Sequence, residues 1–239
     1  VVSPYELRLI NPSKIEATKR TEKAPSLKVA RYNDWLWQSS KVITEGCIAD
    51  LYLKKRAINL EKYPDCLRWH EELDYKDANG DHKGAFPAIV AEVSSPSGKR
   101  VALHRTYLSP DGSKIQYEPN KKLTPRLYDG AMTGAAIKLF PAGETLCIAE
   151  GIETALSAYI LLGLPAWAAI SSGLMSNVVI PESVKHVVII VDNDSHKTNA
   201  GLKAAIKLKD RLIQEGKSVR LFMPEQAGKD LNDILKEKV

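Results

Sequence analysis

The 239-residue chain is 44% hydrophobic and 26% charged, an ordinary balance for a globular protein with room for one large domain or two small ones. No apolar run approaches the ~20 residues of a membrane span, no signal-peptide pattern opens the chain, and a first residue Val1 rather than Met suggests trimming, processing or excision from something longer. Three scattered cysteines, Cys47, Cys66 and Cys147, exclude a disulfide framework and a zinc ribbon and point to a reducing, cytoplasmic setting.

Residues 1–38 read as a polar, basic arm or linker, with Lys14, Lys19, Arg20, Lys23 and Lys28 and no sustained periodicity. A helical pattern is expected from Ser39-Ser40, where Ile43, Cys47, Ile48, Leu51 and Tyr52 recur at three- and four-residue spacing. A loop-rich stretch with Pro64, Asp65 and Trp69 follows, then a polar turn at Asn79-Gly80. Residues 87–108 predict a β-hairpin around a turn at Pro96–Lys99, and a second turn at Pro110–Ser113 precedes a short strand at 114–117. In the second hairpin arm Val101, Leu103, Arg105 and Tyr107 alternate onto one face. Arg105 on that face is either paired or reaching past the sheet edge to a ligand. Residues 93–126 carry seven Lys/Arg against two acids, the densest basic segment.

From Gly143 the chain alternates strand and helix: strand 145–149, helix 152–162, strand 166–170, strand 186–191, helix 200–215, strand 218–223 and a last helix from about 230. This predicts an α/β unit with a mostly parallel sheet flanked by helices over 143–239. A smaller, basic α+β subdomain with the hairpin is expected over 39–142. Charge follows the same division: residues 1–143 hold 23 Lys/Arg against 17 Asp/Glu, and residues 144–239 hold 11 against 12. A polyanion held against a cation site would call for that asymmetry.

Three acidic fragments in the second unit stand out: Glu150-Gly151-Ile-Glu153, Asp192-Asn193-Asp194 and Gly228-Lys229-Asp230-Leu-Asn-Asp233. The first two begin where a buried strand should end, the edge at which open α/β sheets bind ligands. Carboxylates of Glu150, Asp192 and Asp194 gathered there would repel unless a cation neutralised them. Hard oxygen donors of this kind favour Mg²⁺ or Mn²⁺, which makes a metal site for phosphate chemistry the simplest reading. Lys229 either touches phosphate or pairs with the acids, and Asp230 either assists the site or caps the last helix. Glu153, in the first turn of a helix, either assists the site or complements the helix dipole.

The order Glu-Gly-x-Glu, Asp-x-Asp, then Gly-Lys-Asp-x-x-Asp resembles the Toprim domain of bacterial-type primases, topoisomerases and small nucleases. The upstream fragments Tyr52–Ile58, Gly98–Leu108 and Gly134–Leu139 are similar to the catalytic core of primases encoded by phages and plasmids. The resemblance implies a nucleotidyltransferase that makes short RNA primers on a single-stranded DNA template from ribonucleoside triphosphates, with a replicative helicase, fused or separate, as a further partner. It implies Glu150, Asp192 and Asp194 as catalytic metal ligands, Glu153, Asp230 and Asp233 as secondary acids, and Arg105, Lys121, Lys122, Lys138 and Lys229 as nucleotide or template contacts. Two departures are visible. The segment from Asp192 to Gly201 is longer than the family's tight turn, and no zinc ribbon precedes the core. A Toprim nuclease, with His196 as a candidate base, and a non-catalytic single-strand-binding protein stay open as alternatives.

Overall fold

Two sheets divide the chain, and the computed structural model describes them over residues 26–193 and 199–238. The first part runs α1 (Leu27–Ser39), β1 (Lys41–Val42), α2 (Ile48–Lys54), β2 (Leu67–Lys76), β3 (His82–Ser94), β4 (Arg100–Tyr107) and β5 (Lys121–Leu123). Its strands form one antiparallel sheet in the order β1-β2-β3-β4-β5. The second part runs β6 (Thr145–Ala149), α3 (Ile152–Leu162), β7 (Ala166–Ala168), α4 (Ser172–Met175), β8 (His186–Ile190), α5 (Ala200–Gln214), β9 (Ser218–Phe222) and α6 (Leu231–Lys238). Its strands form a parallel sheet in the order β7-β6-β8-β9. No helix among the described residues is long and apolar enough to cross a membrane.

The second part follows the predicted alternation closely, because each strand there is a short apolar run and each helix has a clear stop. Gly163, for instance, ends α3 at φ 66°, the left-handed conformation that a residue without Cβ adopts at no steric cost. The first part departs from the reading in four places. Residues 27–38, read as the end of an arm, belong to α1, whose Asn33 and Leu36 are buried, Leu36 in one core with the antiparallel sheet; residues 1–25 lie outside the described residues. The helix expected from Ser39-Ser40 does not start there. Ser40 instead ends α1, its Oγ donating to the Leu36 carbonyl at 2.7 Å, and α2 begins at Ile48 behind Gly46 at φ 80°. The stretch around Trp69, read as loop, is the ten-residue strand β2. Its register shifts between His70 and Leu73, so the alternation that marks a strand is interrupted mid-run. The strand expected at 114–117 reduces to a single bridge between Leu108 and Lys114, with the true edge strand at Lys121–Leu123.

The antiparallel sheet has two covered faces. One carries Tyr75, Val90, Leu103 and Tyr107 beneath Leu36 of α1. The other carries Ile89, Ala91, Val93 and Ala102, packed with Tyr52 and Leu53 of α2 and with Cys147, Ala155 and Leu156 of the parallel unit. One core therefore runs through both sheets. The segment after Gly134 bridges them: Ala136 exchanges backbone hydrogen bonds with Ser94 of β3, and Ile137 does the same with Ala168 of β7. Gly134 sits at φ 74° with no room for a side chain, since a Cβ would lie 2.6 Å from Val179 Cγ2. A second core, built from Leu146, Ile148, Ile189, Leu208 and Leu212, fills the far side of the parallel sheet under α5.

Candidate metal centre and its basic wall

In the parallel sheet the chain leaves β6 through α3 towards β7 on one side, and leaves β8 through α5 towards β9 on the other. The direction of winding reverses between β6 and β8. Such a switch point opens a crevice beyond the carboxyl ends of the two strands, where α/β sheets bind their ligands. Glu150 follows β6 directly. The parallel register sets Ile148 beside Ile189, so Glu150 is level with Val191 and one residue short of Asp192. The two acids thus share the crevice edge. Oε2 of Glu150 lies 3.5 Å from where a Cβ would stand at Gly201, so the first turn of α5 closes over this carboxylate with a residue that adds no bulk.

The loop after β8 is fixed from below. Asn193, buried, donates its backbone N–H to the Lys229 carbonyl at 3.0 Å and accepts from Gly228 N–H at 2.6 Å, while its side-chain amide donates to the Pro224 carbonyl at 2.9 Å. The third acidic fragment therefore buttresses the second through its backbone. Its side chains are otherwise engaged. Asp230 Oδ1 accepts from Asp233 N–H at 2.9 Å and Asp233 Oδ2 accepts from Asp230 N–H at 3.2 Å, a reciprocal cap at the start of α6. Lys229 pairs with Glu237.

The donors fit a divalent cation. Mg²⁺ takes one or two carboxylates and keeps several waters, and Glu150 and Asp192 supply hard oxygens at neighbouring strand ends. Among the described residues no group of three or more His, Cys, Asp or Glu surrounds a single point. Asp194, the third expected ligand, lies outside the described residues, as does His196.

Glu153 has a different task. It is buried at the start of α3, accepts from Tyr52 Oη at 2.5 Å and from Lys121 Nζ at 2.9 Å, and has Lys114 Nζ at 3.5 Å. Burial alone would raise its pKa. The charges of Lys121 and Lys114 and the hydrogen bonds from Tyr52 and Lys121 outweigh burial and hold the carboxyl well below the usual carboxylate range. Lys121 Nζ in turn lies 3.9 Å from the Cβ position of Gly151, immediately beside Glu150. Lys121 is thereby held close to the acid edge, with Lys114 on the other oxygen of Glu153. Burial, and then the neighbouring Lys121, lowers the buried His104 behind them to about 4. Lys114, Tyr52 and Arg56 have no site role in the sequence reading, although Tyr52 and Arg56 lie in a fragment that carries the resemblance. Arg56 stacks over the Tyr52 ring with its guanidinium 4.9 Å from the centroid and reaches Asn232 Oδ1 at 3.3 Å.

The remaining basic residues do not converge on this edge. Lys138 donates to the Ser95 and Pro96 carbonyls at 2.8 and 3.3 Å, with Nζ 5.1 Å from the Trp167 ring centroid. Arg105 and Lys122 project from the opposite face of the antiparallel sheet, towards α1: the β4–β5 register pairs Arg105 with Lys122 and Thr106 with Lys121, and neighbours along a strand point to opposite sides.

Comparison with known proteins bears on the fold. Residues 145–239 match the Toprim domain family, and residues 28–134 match a domain of unknown function, DUF7146. No curated protein matches the sequence significantly. Among solved structures, the DnaG primase catalytic domain bound to ssDNA superposes with a TM-score of 0.55 at 11% identity, covering 88% of this chain and 76% of that one. The primase fragment of the bacteriophage T7 primase-helicase protein gives 0.53 at 16% identity, covering 95% and 82%. A DNA primase domain from Pseudomonas aeruginosa gives 0.46 at 15% identity over 70% of this chain, which spans 52% of that domain. Residues 145–239 are thus a Toprim domain, and the chain has the fold of a Toprim primase-type core.

Proposed function

We propose that this chain is the catalytic core of a DNA primase, joining ribonucleotides on a single-stranded DNA template. The observation that carries the reading is that the strand-end acids Glu150 and Asp192 at the switch point have, beside Gly151, a lysine from the other sheet, Lys121, which Glu153 holds together with Lys114. Carboxylates that hold a cation, faced by ammonium groups, match what a nucleoside triphosphate presents: a chain of phosphates that needs a metal at the reacting end and counter-charge along the rest. Glu150 and Asp192, with Asp194, are the proposed ligands of Mg²⁺ or Mn²⁺. When bound, that cation supplies Lewis-acid polarisation of the phosphoryl oxygen and stabilises the charge developing there.

The chain's own residues then have defined tasks. Lys121 and Lys114 neutralise phosphate oxygens and fix the triphosphate against the β6 edge. Glu153, already satisfied by three donors, keeps both lysines in place and is a positioning residue. Asp230, Asp233 and Lys229 act on the fold of the Asp192 loop. The T7 match is a primase fragment of a primase-helicase protein, which supports a replicative helicase, fused or separate, as a partner here as well.

The test is synthesis. The protein is incubated with single-stranded template, labelled ribonucleotides and Mg²⁺ or Mn²⁺, beside Asp192→Asn. Metal-dependent oligoribonucleotides that the variant fails to make support priming. Shortening of the template by the same acids would replace the reading with a Toprim nuclease, and template binding with neither product would replace it with a binding module.

A further inference from the structure

The face of the antiparallel sheet turned away from the acid edge carries an arrangement that the proposed chemistry leaves unused. Arg105 of β4 and Lys122 of β5 are direct cross-strand partners. Like charges in that position repel, and proteins ordinarily relieve the repulsion with an acid. Among the described residues neither forms an ion pair. Arg105 donates to Tyr32 Oη at 3.4 Å, Tyr107 Oη at 3.1 Å and the Leu123 carbonyl at 3.0 Å. Lys122 donates to the Lys76 carbonyl and holds its ammonium 4.3 Å from the centroid of the Tyr75 ring. Every one of these partners is neutral. Of the nearby carboxylates, Asp77 pairs with Lys83 and acts on Lys122 only without direct contact, and Glu118 accepts from Asn120.

Aromatic rings extend from this pair in both directions. On one side Tyr75 stacks with Tyr117 at 5.8 Å between centroids, and Tyr117 is 43% exposed. On the other, Tyr32 lies 5.8 Å from Trp35, which is 53% exposed on α1. A pair of cations without a direct ion pair among the described residues, set between two exposed rings, has the composition of a single-strand track, in which phosphates meet cations and bases stack on π-faces. A free phosphate would use the cations and leave the rings idle. An acidic peptide has no planar bases to place on them.

We infer that Tyr117, Lys122, Arg105, Tyr32 and Trp35 form a second contact for single-stranded nucleic acid, on the sheet face opposite the metal edge. The strand there would be held by its backbone at Arg105 and Lys122 and by bases stacked on Tyr117 and Trp35, without base-edge readout. Such a contact would retain template or product outside the site of chemistry.

The inference is tested by binding alone, with no nucleotide and with EDTA present, so that loss of priming activity and loss of this contact are read separately. Fluorescence anisotropy of a labelled oligothymidylate against the full chain is compared for wild type, Lys122→Gln, Tyr117→Ala and Trp35→Ala. The last two change exposed rings, and thermal midpoints verify that all variants fold. Each variant should weaken binding roughly tenfold, as loss of a stacking platform or a phosphate contact does. Lys122→Gln should also flatten the dependence of log K on log salt by about 0.7, while the two ring variants leave the slope unchanged. Equal affinity and slope in wild type and all three variants would overturn the inference. So would displacement of the oligonucleotide by poly-glutamate as efficient as by unlabelled oligothymidylate, which would make this an acidic-polypeptide site.

Discussion

The hydroxyl of Tyr52 donates to Oε1 of Glu153 at 2.5 Å, joining α2 of the antiparallel part to the first turn of α3 in the Toprim domain. Both residues are buried, and the carboxylate at the centre also takes Lys121 and Lys114. Removing one donor and removing the charge should therefore differ. Tyr52→Phe loses a hydrogen bond to an ionised group and should cost about 1.5–3 kcal/mol. Glu153→Gln leaves two lysines without their counter-charge and should cost about 3–5 kcal/mol. Urea unfolding of the two variants measures the difference; equal costs would mean that the hydroxyl, not the ion pairs, dominates the junction.

Acid should loosen the same junction in two stages. His104 in the folded chain protonates only near 4, against 6.5 when unfolded. The unfolded state therefore binds the proton first, and the contribution of His104 to stability is complete above about 6.5 and falls away towards 4. Glu153 behaves similarly at lower pH: its folded pKa lies well below 4.5, so its contribution is full above that value and is lost as pH drops through the folded pKa. Thermal midpoints followed across the upper window should decline for the wild type and stay flatter for His104→Gln.

Asp230 and Asp192 both lie in the acidic fragments, yet Asp192 follows β8 at the switch point while Asp230 caps α6. Asp230→Ala should cost about 0.5–2 kcal/mol as the loss of a helix cap and leave Mn²⁺ affinity within twofold. Asp192→Asn should lower Mn²⁺ affinity, read by electron paramagnetic resonance of free Mn²⁺, by roughly tenfold or more. A matched loss in Asp230→Ala would make that residue a ligand rather than a cap.

Lys121 and Lys122 are adjacent in sequence and project from opposite sheet faces. Lys121→Gln should raise the KM for ribonucleoside triphosphate about tenfold, the loss of one charge-assisted phosphate contact, whereas Lys122→Gln should leave it unchanged. Steady-state kinetics under saturating template separates them.

Much of the Toprim half was legible in the sequence. Short β-branched runs such as Val187–Val191 permit few alternatives to a buried strand, and Gly163 and Gly216 stop helices whatever surrounds them. The acids at the strand ends follow from the same periodicity. The antiparallel part was harder to read because its signals depend on partners. A bulge in β2 breaks its alternation, and α1 looks polar until Leu36 meets the sheet. Several charged residues looked alike as letters: Glu153 beside Glu150, Lys122 beside Lys121, Asp230 near Asp192.

Local pattern therefore dictated which elements form and which acids stand at their ends, since those outcomes depend on torsions and burial within a few residues. The pairing of Glu153 with Tyr52, 101 positions away, was settled only when the two sheets closed on one core. So was the division of neighbouring lysines between the two faces of the antiparallel sheet. Contacts of that kind are set by long-range packing, and no window of sequence contains both partners.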